Sequence, residues 1–113
     1  MKVKTTEFKN RTEILKYAEH YVGRAVMVSD SGVTADSEGR KIVPAGTLVS
    51  GVASGAVSAD NSAATEGVLL HDTDVTHGSA PGTMVIHGFI DLTKLPAAPS
   101  GGAKTALPQI TFM

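Results

Sequence analysis

Only five aromatic side chains occur in this chain of 113 residues (Phe8, Tyr17, Tyr21, Phe89 and Phe112), and none is tryptophan. Aromatic rings bury the largest area per residue, so the interior has to be assembled from Val, Ile, Leu and Ala. A small core of small side chains is marginal by itself, and self-association or docking onto a larger assembly would relieve that. Cysteine is absent, which excludes disulfides, thiolate zinc sites and cysteine nucleophiles together. Gly 12 and Pro 5 exceed the average share of about 12 per cent for the pair, pointing to many turns.

Charge narrows the function classes. The formal net charge of −1 argues against a nucleic-acid binder, which would carry a basic patch. No apolar run approaches the roughly 18 residues that span a bilayer, so no membrane helix is expected. The N-terminal residues lack an apolar h-region, so no secretory signal is expected. The distribution is uneven, however: residues 1–24 hold six basic and three acidic side chains, and the remainder four basic and eight acidic.

Three regions follow. Residues 1–9 read as a polar, basic N-terminal arm. Residues 10–95 read as one β-rich domain opened by a helix over 11–22. There, Ile14, Leu15, Ala18, Tyr21 and Val22 make an apolar stripe, Asn10 and Glu13 have capping-box spacing, and Gly23 ends the helix. In that helix His20 would sit near the C-terminus, where a cation meets the dipole favourably. Beyond Gly23 the texture is strand and turn: strands at 25–29, 41–43, 47–52, 67–71 and 83–87, and a Pro44-Ala-Gly46 turn. Residues 54–65 read as a mobile loop and 91–95 as a helical turn. Residues 96–113 read as a Pro/Gly linker followed by a C-terminal tail or short strand. The expected fold class is α+β, mostly β: a small β-barrel or β-tulip (β-clip-like) module with one N-terminal helix.

Catalytic signatures are missing. No Gly-x-Ser-x-Gly elbow frames a nucleophile, and Ser50-Gly-Val-Ala-Ser-Gly55 lacks the Lys-Ser/Thr of a phosphate loop. The residues nearest to a metal set are His71, Asp74 and His87, imidazole and carboxylate being suitable ligands for zinc, manganese or iron. On an extended chain, Asp72 and Asp74 share one face while His71 and His77 take the other. The plainer reading of 71–77 is a polar strand end and loop. No enzyme activity, cofactor or metal is expected.

Three stretches carry a resemblance: Gly39-Arg-Lys-Ile-Val-Pro-Ala-Gly-Thr-Leu48, Glu66-Gly-Val-Leu-Leu-His-Asp-Thr-Asp-Val75 and Pro81-Gly-Thr-Met-Val-Ile-His-Gly-Phe-Ile-Asp91. In this order the chain resembles tailed-bacteriophage head decoration proteins, the lambda-type capsid-stabilising family, over residues 24–95. The 12–22 segment looks like versions from phages of Gram-positive bacteria. The resemblance implies a structural protein made in the bacterial cytoplasm and placed on the capsid surface of the virion. It implies a homotrimer bound to the major capsid protein, without nucleic-acid or membrane partners. It also implies capsid contact through the arm, here Lys2, Val3, Lys4, Thr5, Thr6, Phe8 and Lys9. Other virion components, such as a head-fibre base or a tail protein, are the alternative reading, followed by a small metal-binding β-barrel enzyme.

Overall fold

The computed structural model describes residues 13–17 and 19–113. They form eight strands: β1 (Tyr21–Val28), β2 (Ile42–Val43), β3 (Leu48–Ser50), β4 (Ser58–Ala59), β5 (Gly67–Leu69), β6 (Thr73–Asp74), β7 (Ala80–Ile90) and β8 (Ile110–Phe112). One short helix, α1 (Gly101–Ala106), lies between β7 and β8. The main sheet runs β1-β7-β5-β3-β4, and β8 joins β7 in parallel beside Gly88 to Ile90. A separate β2–β6 pair sets Ile42 opposite Asp74 and Val43 opposite Thr73.

The central strands bury both faces, which explains why Val68-Leu-Leu70 has no polar alternation. Successive side chains point to opposite faces. Leu48, Val68, Leu70 and Val85 enter one cluster with Ile14, Leu15, Ile90, Leu107 and Ile110. Val49, Leu69 and Met84 enter the other with Val28, Val43, Val57 and Val75. Both are aliphatic, as the shortage of rings requires. The sheet is an open one. Its end strands β1 and β4 meet only where Val57, just before β4, bridges Val28. There the Ser29 N–H donates to the Val57 carbonyl (2.8 Å) and the Val57 N–H to the Met27 carbonyl (2.7 Å).

The N-terminal segment departs from the expected helix. Among the described residues of 11–22 none is helical, and Tyr21 and Val22 open β1. Leu15 instead bridges Ile90, with the Lys16 N–H donating to the Phe89 carbonyl (2.8 Å) and the Asp91 N–H to the Ile14 carbonyl (2.7 Å). Residues 14–16 therefore prolong the track of β1 along β7, with a turn between them closed by His20 N–H to the Tyr17 carbonyl (3.2 Å). Strand pairing wins because it buries Ile14 and Leu15, whereas Tyr21 and Val22 of the expected stripe stay exposed. Gly23, expected to end the helix, lies inside β1 opposite Val85.

Two further segments are more ordered than their composition implies. In 54–65, Asp60 accepts from the Ser50 and Ser62 hydroxyls, and buried Thr65 donates its hydroxyl to the Asp60 carbonyl. In 96–113, Ser100 caps α1 by accepting from Ala103 N (3.1 Å), and Leu107 and Ile110 enter the core. Asn61 ties these segments together: its side chain donates to the Ala98 carbonyl (2.9 Å) and accepts from Ser100 N (2.8 Å). Other expectations match. Gly46 takes φ 89° in the Pro44–Gly46 turn, and Leu92–Lys94 is a helical turn capped by Asp91.

Candidate functional site

The arm residues Lys2, Val3, Lys4, Thr5, Thr6, Phe8 and Lys9 lie outside the described residues, so the surface they would serve has to be read from the rest of the fold. β1 is an end strand. Among the described residues, the only backbone partner on its outer edge is Val57, at Met27 and Ser29. It is exposed on both faces from Tyr21 to Ala25. The register shifts between Val22 and Gly23, so Ile86 of β7 is an extra residue with no direct partner in β1, a bulge that sharpens the local twist. Tyr21, Val22, Met27 and Ile86 all leave large apolar side chains in solvent along this pair of strands. Beside the outer edge runs a groove of about 390 Å³ lined by Ala25, Val26, Met27, Val52, Ala56, Val57 and Pro81. An unpaired strand edge next to an apolar groove can accept an added strand, main-chain hydrogen bonds giving affinity and the groove taking side chains.

The metal-ligand residues weighed from sequence do not converge. His71 and Asp74 line a shallow depression with Pro81 and Thr83. His87 is four positions beyond Thr83 on the same strand, about 13 Å along it. Among the described residues no group of three or more His, Cys, Asp or Glu side chains comes together. The carboxylates of the 71–77 stretch serve the backbone instead. Asp72 accepts from Ala45 N (2.7 Å), and Asp74 accepts from Thr76 N (2.9 Å) and the Thr76 hydroxyl. His87 faces His20, the residue expected at a helix end. Its Nε2 lies 3.1 Å from Nε2 of His20, and its Nδ1 lies 3.1 Å from Oε1 of Gln109. No spacing signal could reveal a pair 67 positions apart; it exists because the chain before β1 lies along β7 rather than coiling away.

Among the described residues, five carboxyl groups hold their protons less tightly than an ordinary carboxyl group does. The backbone N–H groups of Arg40 and Glu38 lower Asp36; the hydroxyls of Ser50 and Ser62 lower Asp60. The N–H groups of Val52 and Gly51 (2.9 and 2.5 Å) lower Glu66. The hydroxyl and N–H of Thr76 lower Asp74, and those of Thr93 lower Asp91. A general acid at neutral pH needs the opposite displacement, so these groups act as acceptors that fasten turns. Because the folded state holds protons less tightly than the unfolded chain, their stabilisation is fully present above the ordinary carboxylate range near pH ~4. It is lost as pH falls through the depressed folded values. The melting temperature is therefore expected to drop on acidification from about pH 5 to pH 3. Glu66→Gln, which keeps an acceptor oxygen but does not titrate, should show a shallower drop; an identical slope would remove Glu66 from this account.

Among the described residues no helix is long and apolar enough to cross a membrane. Compared with known proteins, the sequence matches no family model and no curated protein.

Proposed function

We propose that this chain is a non-enzymatic virion structural protein, a head decoration protein that binds the major capsid protein of the expanded shell and stabilises it, acting as a homotrimer. The observation that carries the reading is the β1–β7 pair: an end strand exposed on both faces, with Tyr21, Val22, Met27 and Ile86 in solvent beside an apolar groove. Such a surface suits association rather than turnover. The three stretches that carry the family resemblance hold β2, β5, β6 and most of β7, so they supply the scaffold on which β1 is mounted. The near-meeting of β1 and β4 at Val28 and Val57 supports a β-tulip-like module whose barrel is incompletely closed. Among the described residues, the displaced carboxyl groups all act as turn acceptors, which favours a structural role.

Weak single contacts repeated over a lattice add to a large total, so a marginal module suffices for such a task. The test is co-sedimentation with expanded, undecorated heads of the encoding phage, with unexpanded procapsids alongside. Saturable binding to expanded heads alone is the expected result. Deleting residues 1–9 should abolish it while leaving the melting curve nearly unchanged; retained binding would remove the arm from the contact. Binding to neither particle would overturn the decoration reading in favour of a head-fibre base or tail component.

A further inference from the structure

We propose that His20 and His87 form a two-histidine chelate for one late first-row divalent cation (zinc, nickel or copper), with water completing the coordination shell. Zinc–imidazole bonds are about 2.0–2.1 Å long. An ion at that distance from both nitrogens, with the nitrogens 3.1 Å apart, subtends an angle of about 100°. That angle lies between the octahedral and tetrahedral values, so the pair accepts an ion without moving apart.

Tautomers support the assignment. The Gln109 amide oxygen only accepts, so Nδ1 of His87 carries the hydrogen and Nε2 presents a lone pair towards His20. A partner on the second ring nitrogen is the usual device that orients a metal-bound histidine. Without an ion, His20 donates from Nε2 to His87; with one bound, its hydrogen sits on Nδ1 instead, and His87 is unchanged. The rings are held from behind. Phe89 packs against His20 (ring centroids 5.7 Å apart), and Tyr17 meets Phe89 edge-on (5.3 Å). His20 is exposed and His87 half-buried, so an ion can enter directly and water can fill the open positions. Among the described residues no third His, Cys, Asp or Glu joins the pair, which favours imidazole-seeking ions over the oxygen-seeking magnesium or calcium. This inference does not rest on the virion reading.

Calorimetric titration of the full chain with zinc chloride, and separately with copper sulfate, tests it near neutral pH. Two-dimensional NMR of the four histidine rings locates the ion. One ion per chain is expected, with shifts confined to His20 and His87 and tighter binding of copper than zinc, as the general affinity order requires. His20→Asn and His87→Asn should each weaken binding by at least about tenfold, and Gln109→Leu by about tenfold through loss of orientation. The double variant His71→Asn/His77→Asn should bind as the parent does. Circular dichroism of each variant separates loss of a ligand from loss of fold. No saturable binding at millimolar metal, or binding that survives both His20→Asn and His87→Asn in folded protein, would overturn the proposal.

Discussion

Replacing Leu69 with alanine is expected to cost about 3 kcal/mol, replacing Ile90 about as much, and the double variant close to the sum. Both side chains are fully buried, and each removes several methyl and methylene groups whose space the neighbours cannot refill. Additivity follows from the architecture. Leu69 packs with Val28, Val43, Val49, Val57, Val75 and Met84 on one face of the central sheet, whereas Ile90 belongs to the cluster on the other face. Each single loss should lower the melting temperature by roughly 10–20 °C. The combined loss of about 6 kcal/mol is comparable with the whole stability of an ordinary small domain, so the double variant should be largely unfolded at room temperature. Urea titrations followed by circular dichroism measure all three, with the double variant studied in a stabilising osmolyte if necessary. A coupling above about 0.5 kcal/mol would mean that the two clusters behave as one core.

This division of the interior also bears on function. With both faces of β3, β5 and the middle of β7 committed to apolar packing, the two clusters contain only aliphatic side chains and Met84 among their buried members, and among the described residues no buried side-chain nitrogen or oxygen lacks a partner. The end strand β1 and the part of β7 that faces it carry the exposed apolar side chains and the bulge at Ile86, with the His20–His87 pair beside them.

The sequence made the strands of the sheet centre legible because their signals are local: short apolar runs bounded by Gly, Asp and Pro. It was misleading where two geometries share one pattern. Ile14, Leu15, Ala18, Tyr21 and Val22 satisfy a helical stripe, yet an extended segment also buries Ile14 and Leu15 where the chain passes between a core and a strand edge. The deciding partner, β7, lies about 75 residues away and leaves no mark in the local spacing. In the C-terminal region the expected short strand is β8, but the linker expected before it is more ordered, for a different reason. Ser100-Gly-Gly102 resembles a linker, but Gly102 is small because the backbone of Ala63 passes there, an added Cβ lying 3.1 Å from Ala63 N. Asn61 then fixes the approach by bonding both Ala98 and Ser100. The long-range contacts were illegible for the same cause: His20 and His87, and likewise β1 and Val57, meet only through tertiary pairing.

Gly67 is the clearest case of a residue whose identity the neighbouring strand dictates, and Gly67→Val is expected to destabilise the fold by about 3 kcal/mol or more. Its φ lies outside the left-handed region, so backbone freedom is not the reason for glycine. Space is the reason. A Cβ at this position would overlap the Met84 side chain, lying 2.6 Å from its sulfur, and would lie 2.9 Å from the Val85 carbonyl oxygen. Met84 is buried across the void that the missing side chain leaves, and fills the cluster containing Leu69. Methionine is flexible and can move aside; the Val85 carbonyl belongs to β7 and cannot do so without disturbing the β5–β7 ladder, where Val68 faces Val85 and Leu69 faces Met84. Met84→Ala should therefore rescue Gly67→Ala only in part, relieving the side-chain overlap and leaving the backbone one. Denaturation of the two single variants and the double variant reads the coupling directly. Full rescue would place the whole constraint in the methionine, and no rescue would place it in the carbonyl; the geometry of both contacts requires an intermediate value.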